Sequence, residues 1–187
     1  MKTAIAEKGR QPMQTGGSTL SREHRILLKW SLFAAATAAA LAVDLVTKHL
    51  AEARLILGHT DKILPFLYLE RTANSGVAFG LLGGRTALIV VANIVALAIV
   101  GAYVFIDRRA VLAGLAGGMV VGGSLGNLVQ RLTGDGHVTD FLKFPHWPNF
   151  NMADVFIDVG IAVVVIGLAV ELVRSRRSGR SAPSSEQ

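Results

Sequence analysis

Asp140 and Asp154 each close a short polar motif at the edge of a long apolar run, Gly136-His137-Val138-Thr139-Asp140-Phe141 and Phe150-Asn151-Met152-Ala153-Asp154. A carboxylate at a membrane boundary is costly to desolvate, so two in neighbouring motifs point to a site rather than to a solvated surface. Two carboxyls at unequal pKa can draw a proton from water, polarise a scissile carbonyl and protonate the departing amine, the division of labour of aspartic proteolysis. Which of the two begins protonated stays open, because a coupled pair titrates as a unit. The chemistry read from these residues is that of an intramembrane hydrolase.

Each residue also has a plainer role. Asp154 suits the N-terminus of a helix by charge alone, Asp140 is within reach of Lys143, and Asp158 is a competing carboxylate one turn beyond Asp154. Asp44 and Lys48 stand at i and i+4, the spacing of an intrahelical ion pair that makes burial tolerable. Asn93 is expected to make an interhelical hydrogen bond. His49, His59, His137 and His146 lack metal-ligand spacing, so neither a metal nor any other cofactor is expected. Trp30 and Trp147 read as interfacial anchors.

These residues must be positioned by a membrane protein. Of 187 residues 51% are hydrophobic and only 17% charged, with a mean hydropathy of +0.48, which is poor in charge for a soluble domain. Four segments approach the ~20 residues that cross the hydrocarbon layer as a helix: 30–50, 86–106, 110–128 and 154–173. They form one peptidase-like membrane domain, 30–173, flanked by tails at 1–29 and 174–187 that are expected to be disordered. The sequence has no cysteine, which excludes disulfides and thiol chemistry. Its formal net charge of +6 gathers at the tails and in the short 107–109 link without interleaved aromatics, so nucleic acid is not an expected partner.

Lys and Arg in both tails and at Arg108 and Arg109 place all three segments in the cytoplasm. The two longer connections, 51–85 and 130–153, then face outward. In the first, Ile63, Leu64, Phe66, Tyr68 and Leu69 are strand-compatible around Pro65, and Asn74-Ser75-Gly76 reads as a turn or bulge before Val77, Ala78 and Phe79. The fold class is an all-α polytopic membrane protein with four transmembrane helices and a small extracytoplasmic β-sheet on the membrane surface. Gly114, Gly118, Gly122 and Gly126 recur every fourth residue, a stripe that lets a neighbouring helix backbone come close.

Five motifs in order, Asp44-Leu45-Val46-Thr47-Lys48, Asn74-Ser75-Gly76-Val77-Ala78-Phe79, Gly126-Asn127-Leu128-Val129-Gln130-Arg131, Val138-Thr139-Asp140-Phe141 and Phe150-Asn151-Met152-Ala153-Asp154, resemble the lipoprotein signal peptidase (signal peptidase II) family across residues 30–173. The resemblance implies a monomeric aspartyl endopeptidase of the bacterial inner membrane. It also implies a substrate, a prolipoprotein signal peptide cut just before a diacylglyceryl-modified cysteine, met within membrane lipid near the outer leaflet. Asp140 and Asp154 match the catalytic pair. Asn74, Gly76, Asn127, Gln130, Arg131 and Asn151 match residues that line the site and hold the peptide, and Asp44 and Lys48 match a supporting pair.

Two positions depart from the pattern. The family motif usually reads Gly-Asn-x-x-Asp-Arg, and here Gln130 replaces the acid, keeping hydrogen bonding but losing a charge that could pair with Arg131 or tune the carboxylates. Thr139 stands where the family often has valine. Gln130 motivates an alternative, a catalytically impaired paralogue that binds lipoprotein signal sequences. A small proton or ion transporter would instead call for repeats or broken helices, and no convincing repeat relates the two halves.

Overall fold

The computed structural model describes residues 21–76 and 85–180, so Val77, Ala78 and Phe79 of the second motif lie outside the described residues. The elements run α1 (Arg22–Arg54), β1 (Thr60–Leu64), β2 (Leu67–Asn74), α2 (Thr86–Ile106), α3 (Ala110–Thr133), β3 (Val138–Lys143) and α4 (Met152–Arg180). All four helices are long and apolar enough to cross a membrane. The most apolar stretch of α3 has the lowest mean hydropathy, 1.5, yet 61% of it is buried, against 6–11% for the other three. This helix is therefore the hub, and α1, α2 and α4 present their apolar side chains outward.

The glycine stripe explains how a helix of modest hydropathy becomes central. A Cβ on Gly114, Gly118 or Gly122 would stand 2.6, 2.6 and 2.5 Å from the backbone carbonyls of Lys29, Phe33 and Thr37, so α1 lies directly on the stripe. Gly126 continues it, and a Cβ there would collide with the Asp44 carboxylate. Gly123 faces α4 on the other side, 2.5 Å from the Ala153 carbonyl oxygen by the same construction. Close backbone contact supplies the attraction that lipid solvent does not.

Three helices run beyond their expected ends. The start of α1 at Arg22 places residues 22–29 in a helix rather than in a disordered tail, because Ser21 caps it, accepting the His24 N–H on Oγ at 3.3 Å, and Glu23 sits in the first turn. Lys29 is buried, and its Nζ donates to the carbonyls of Val104, Phe105 and Asp107 at 2.8, 3.3 and 3.1 Å, closing the C-terminus of α2. Past Leu128, α3 continues to Thr133 because Gln130 and Arg131 find partners outside the helix; Gly134 ends it. Beyond Val173, α4 continues to Arg180, since nothing before Pro183 breaks it and arginines suit a C-terminal turn.

The sheet is three-stranded and antiparallel, in order β1-β2-β3. Pro65 and Phe66 form the turn of the β1–β2 hairpin, where Leu64 pairs with Leu67. The third strand comes from the connection between α3 and α4, which sequence periodicity alone did not mark as a strand. It pairs Thr72 with Asp140, Ala73 with Thr139 and Asn74 with Val138. Lys143 pairs across the sheet with Glu70 at 2.5 Å and is not the partner of Asp140.

Contacts sort the molecule into two ends. Lys29, the end of α2, and Arg109 bound to Asp107 and Glu171 make one end. The C-terminal halves of α1 and α3, the start of α4 and the sheet make the other, and every described motif residue lies there.

Candidate active site

The start of α4 is built as a capping box. Asn151 Oδ1 accepts the Asp154 backbone N–H at 3.2 Å, and Asp154 Oδ2 accepts the Asn151 N–H at 3.1 Å, so the aspartate is fixed by the helix start it stabilises. The same Asn151 uses its Nδ2 to reach Asp140 Oδ1 at 2.6 Å. One fully buried asparagine thus ties the carboxylate on β3 to the carboxylate on α4.

Each aspartate has a second partner. Asn74, at the end of β2, donates to Asp140 Oδ2 at 2.9 Å and accepts the Gly76 N–H on Oδ1 at 2.8 Å, the local turn expected of an Asn-Ser-Gly sequence. The Gly76 carbonyl accepts from Arg131 Nη2 at 2.6 Å. On α3, Asn127 donates to Asp154 Oδ1 at 3.0 Å and accepts from Lys48 Nζ at 2.7 Å and from Asn151 Nδ2 at 3.2 Å. Lys48 is paired with Asp44 at 2.7 Å, with relative exposures of 2% and 0%. Asp44 Oδ1 in turn accepts the Ala153 N–H at 2.8 Å.

Asp44, Lys48, Asn74, Gly76, Asn127, Arg131, Asp140, Asn151 and Asp154 are therefore one connected network drawn from α1, β2, α3, β3 and α4. Gln130 stands apart from it. Its side chain does not meet Arg131 but turns to Glu52 at 2.6 Å and Thr139 at 2.9 Å. Thr139 and Asp140 are adjacent on a strand, so they point to opposite faces.

Burial pushes the Asp140 carboxyl up to about 6; the Asn74 hydrogen bond lowers it, the charge of Asp154 raises it and the Asn151 bond lowers it again. A proton is thus held on this side chain well above the ordinary carboxyl range.

Both aspartates open onto a cavity of about 670 Å³. Its floor is polar, with Asn74, Asn127, Arg131 and Asn151, and its walls are apolar, with Ile89, Ala92 and Ala96 of α2 opposite Val155 and Ile157 of α4. Phe144, Trp147 and Phe150 close one side; Leu142 and Phe150 exchange backbone hydrogen bonds of 2.8 and 2.9 Å that fold this segment back on β3. Asp158 also lines the cavity, but no hydrogen bond joins it to the network among the described residues. Asn93 departs from its expected interhelical bond: its Oδ1 is buried without a hydrogen-bond partner among the described residues, on the cavity wall.

The sequence profile of the family described as Signal peptidase (SPase) II matches residues 36–170. This chain belongs to the signal peptidase II family. It is similar to the lipoprotein signal peptidase of Mesorhizobium japonicum, 38% identical over 159 residues that cover 82% of this chain and 92% of the relative. It is also similar to that of Desulfitobacterium hafniense, 39% identical over 140 residues, 73% of this chain and 92% of the relative. Its fold resembles two solved structures described as bacterial membrane enzymes determined by the in meso method. One has a TM-score of 0.68 at 22% identity, covering 89% of this chain and 96% of the other; the second has 0.64 at 24%, covering 79% and 93%. As a signal peptidase II the chain is a protease, and the matched segment holds the whole network.

Glu52 and Asn93 are the site residues that sequence reasoning missed or misassigned. A signal for Glu52 was present, since it follows Lys48 by four residues and Asp44 by eight on one face of α1.

Proposed function

We propose that this signal peptidase II is an aspartyl endopeptidase that removes the signal peptide from prolipoproteins, with Asp140 and Asp154 as its catalytic pair. The observation that carries this reading is the bridge of Asn151, which holds both carboxyls at one end of a cavity large enough for an extended peptide. One carboxylate takes a proton from water, whose oxygen attacks the scissile carbonyl carbon, while the protonated partner gives its hydron to the carbonyl oxygen. Collapse of the tetrahedral intermediate breaks the C–N bond, and the dyad returns a proton to the departing amine.

Asn74 and Asn127 orient one carboxyl each, and Arg131 fixes the Gly76 carbonyl beside the peptide path. Asp44 and Lys48 carry Asn127 and the first turn of α4, which makes them a supporting pair. The apolar walls suit a signal-peptide segment and an acyl chain, consistent with a cut just before a diacylglyceryl-modified cysteine. With Arg22, Arg25, Lys29, Arg108, Arg109, Arg174 and Arg176 at the end of the bundle away from the aspartates, the positive-inside rule supports both termini in the cytoplasm and the sheet and aspartates at the outer leaflet of the inner membrane. Among the described residues every hydrogen-bond partner of the two carboxyls comes from the one chain, which supports a monomeric enzyme. Purified protein in detergent should cleave a diacylglyceryl-modified precursor and release a new N-terminal cysteine; cleavage elsewhere, or none, would refute the assignment.

A further inference from the structure

We propose that Glu52 is a positioning residue for this peptidase, holding the strand that carries Asp140 through Gln130 and Thr139, and that a neutral amide at position 130 is required because Glu52 already supplies the carboxylate there. This rests on the function proposed above, in which Asp140 reacts.

Glu52 Oε1 accepts from Gln130 Nε2 at 2.6 Å and from the Thr139 hydroxyl at 2.5 Å. Gln130 Nε2 also donates to Thr139 Oγ1 at 2.9 Å, and its Oε1 accepts the Thr139 backbone N–H at 2.8 Å. The last bond fixes which end of the amide faces which partner, since only the oxygen can accept. Every donor in the group then has an acceptor. Gln130 gives one amide hydrogen to the carboxylate and one to the hydroxyl, and Thr139 gives its own to the carboxylate. Arg71 Nη1 donates to the Glu52 carbonyl at 3.1 Å, so the end of α1 is bound to β2 as well.

Three elements meet here, and the residue they clamp is the immediate neighbour of Asp140. None of the three side chains lines the cavity, so the group sets where the strand lies without touching a peptide. The two departures from the family pattern, glutamine for the acid and threonine for valine, are both members of this group. They act together: the hydroxyl and the amide are donors that a third residue, Glu52, has the charge to receive. An acid at 130 would face the Glu52 carboxylate at hydrogen-bond distance with no proton between them.

The test is kinetic, on four full-length proteins in detergent at pH 7.5 with a lipid-modified precursor: wild type, Gln130→Glu, Glu52→Gln, and the swap carrying both. Gln130→Glu keeps the shape of the side chain and adds only charge. It should lower kcat tenfold or more with KM within twofold. The swap moves the carboxylate to the other side of the same bonds and should return kcat to within threefold of wild type. A Gln130→Glu enzyme as fast as wild type, or a swap no faster than that single variant, would overturn the proposal. If wild type itself does not cleave, the proposed function fails, and thermal unfolding of the four proteins still decides the inference: the swap should recover the Tm lost by Gln130→Glu, and additive losses would refute the coupling.

Discussion

Asp44 accepts the backbone N–H of Ala153 at 2.8 Å, a bond from the middle of α1 to the first turn of α4. It satisfies one of the amides that any helix start leaves without an intrahelical partner, two residues from the start of the capping box and one before Asp154. The Asp44–Lys48 pair therefore does more than cancel its own charge: it places the turn that presents the Asp154 carboxyl.

Removing Lys48 tests that relationship. Lys48→Ala leaves Asp44 buried without its cation and takes a donor from Asn127, a change that costs roughly 3–5 kcal/mol for a buried pair. Thermal unfolding in detergent should show a large fall in Tm, exceeding any loss of kcat in the protein that remains folded. A normal melting profile with abolished turnover would contradict a supporting role.

The buried Asp140 carboxyl gives a pH signature. Its pKa rises from 3.8 to about 6 on folding, so the folded state binds the proton more tightly than the unfolded chain. The penalty is absent below 3.8 and grows until about 6, reaching about 3 kcal/mol by the linkage of pKa to stability. Asp140→Asn removes it. The Tm of the variant minus that of wild type should increase as pH rises from about 4 to about 7; a difference independent of pH would show that Asp140 ionises without cost.

Asn93 offers an unmatched acceptor on the cavity wall. A buried carbonyl without a donor is unfavourable until a ligand brings one, and an extended peptide carries N–H groups along its length. Asn93→Leu should raise KM about five- to tenfold with little change in kcat, the equivalent of about 1 kcal/mol for one hydrogen bond. Steady-state kinetics that leave KM unchanged would separate Asn93 from the peptide path.

What the sequence made legible depended on how local each feature is. The four helices announce themselves by length and hydropathy, the close packing of α3 against a neighbouring helix by the Gly114–Gly126 spacing, and Asp154 as a helix-start acid by its place before the last apolar run. Pro65 was legible for the same reason as a break between strand-compatible residues. Long-range partners were not. Lys29 read as a topology charge because nothing near it in sequence reveals the α2 carbonyls it caps. Val138–Lys143 became a strand only because β2 offered it an edge. Gln130 looked like a lost partner for Arg131, since neighbours in sequence invite pairing, yet adjacent residues on a helix face apart and its partners come from α1 and β3.

The central claim is that Asp140 and Asp154 together break the peptide bond, and the direct measurement is precursor cleavage by Asp154→Asn and Asp140→Asn proteins beside wild type. The account predicts that each substitution abolishes release of the signal peptide, by about 10³-fold or more for loss of an acid–base partner, while the variants insert, fold and still bind precursor. An Asp154→Asn enzyme that cleaves at or near the wild-type rate would contradict it.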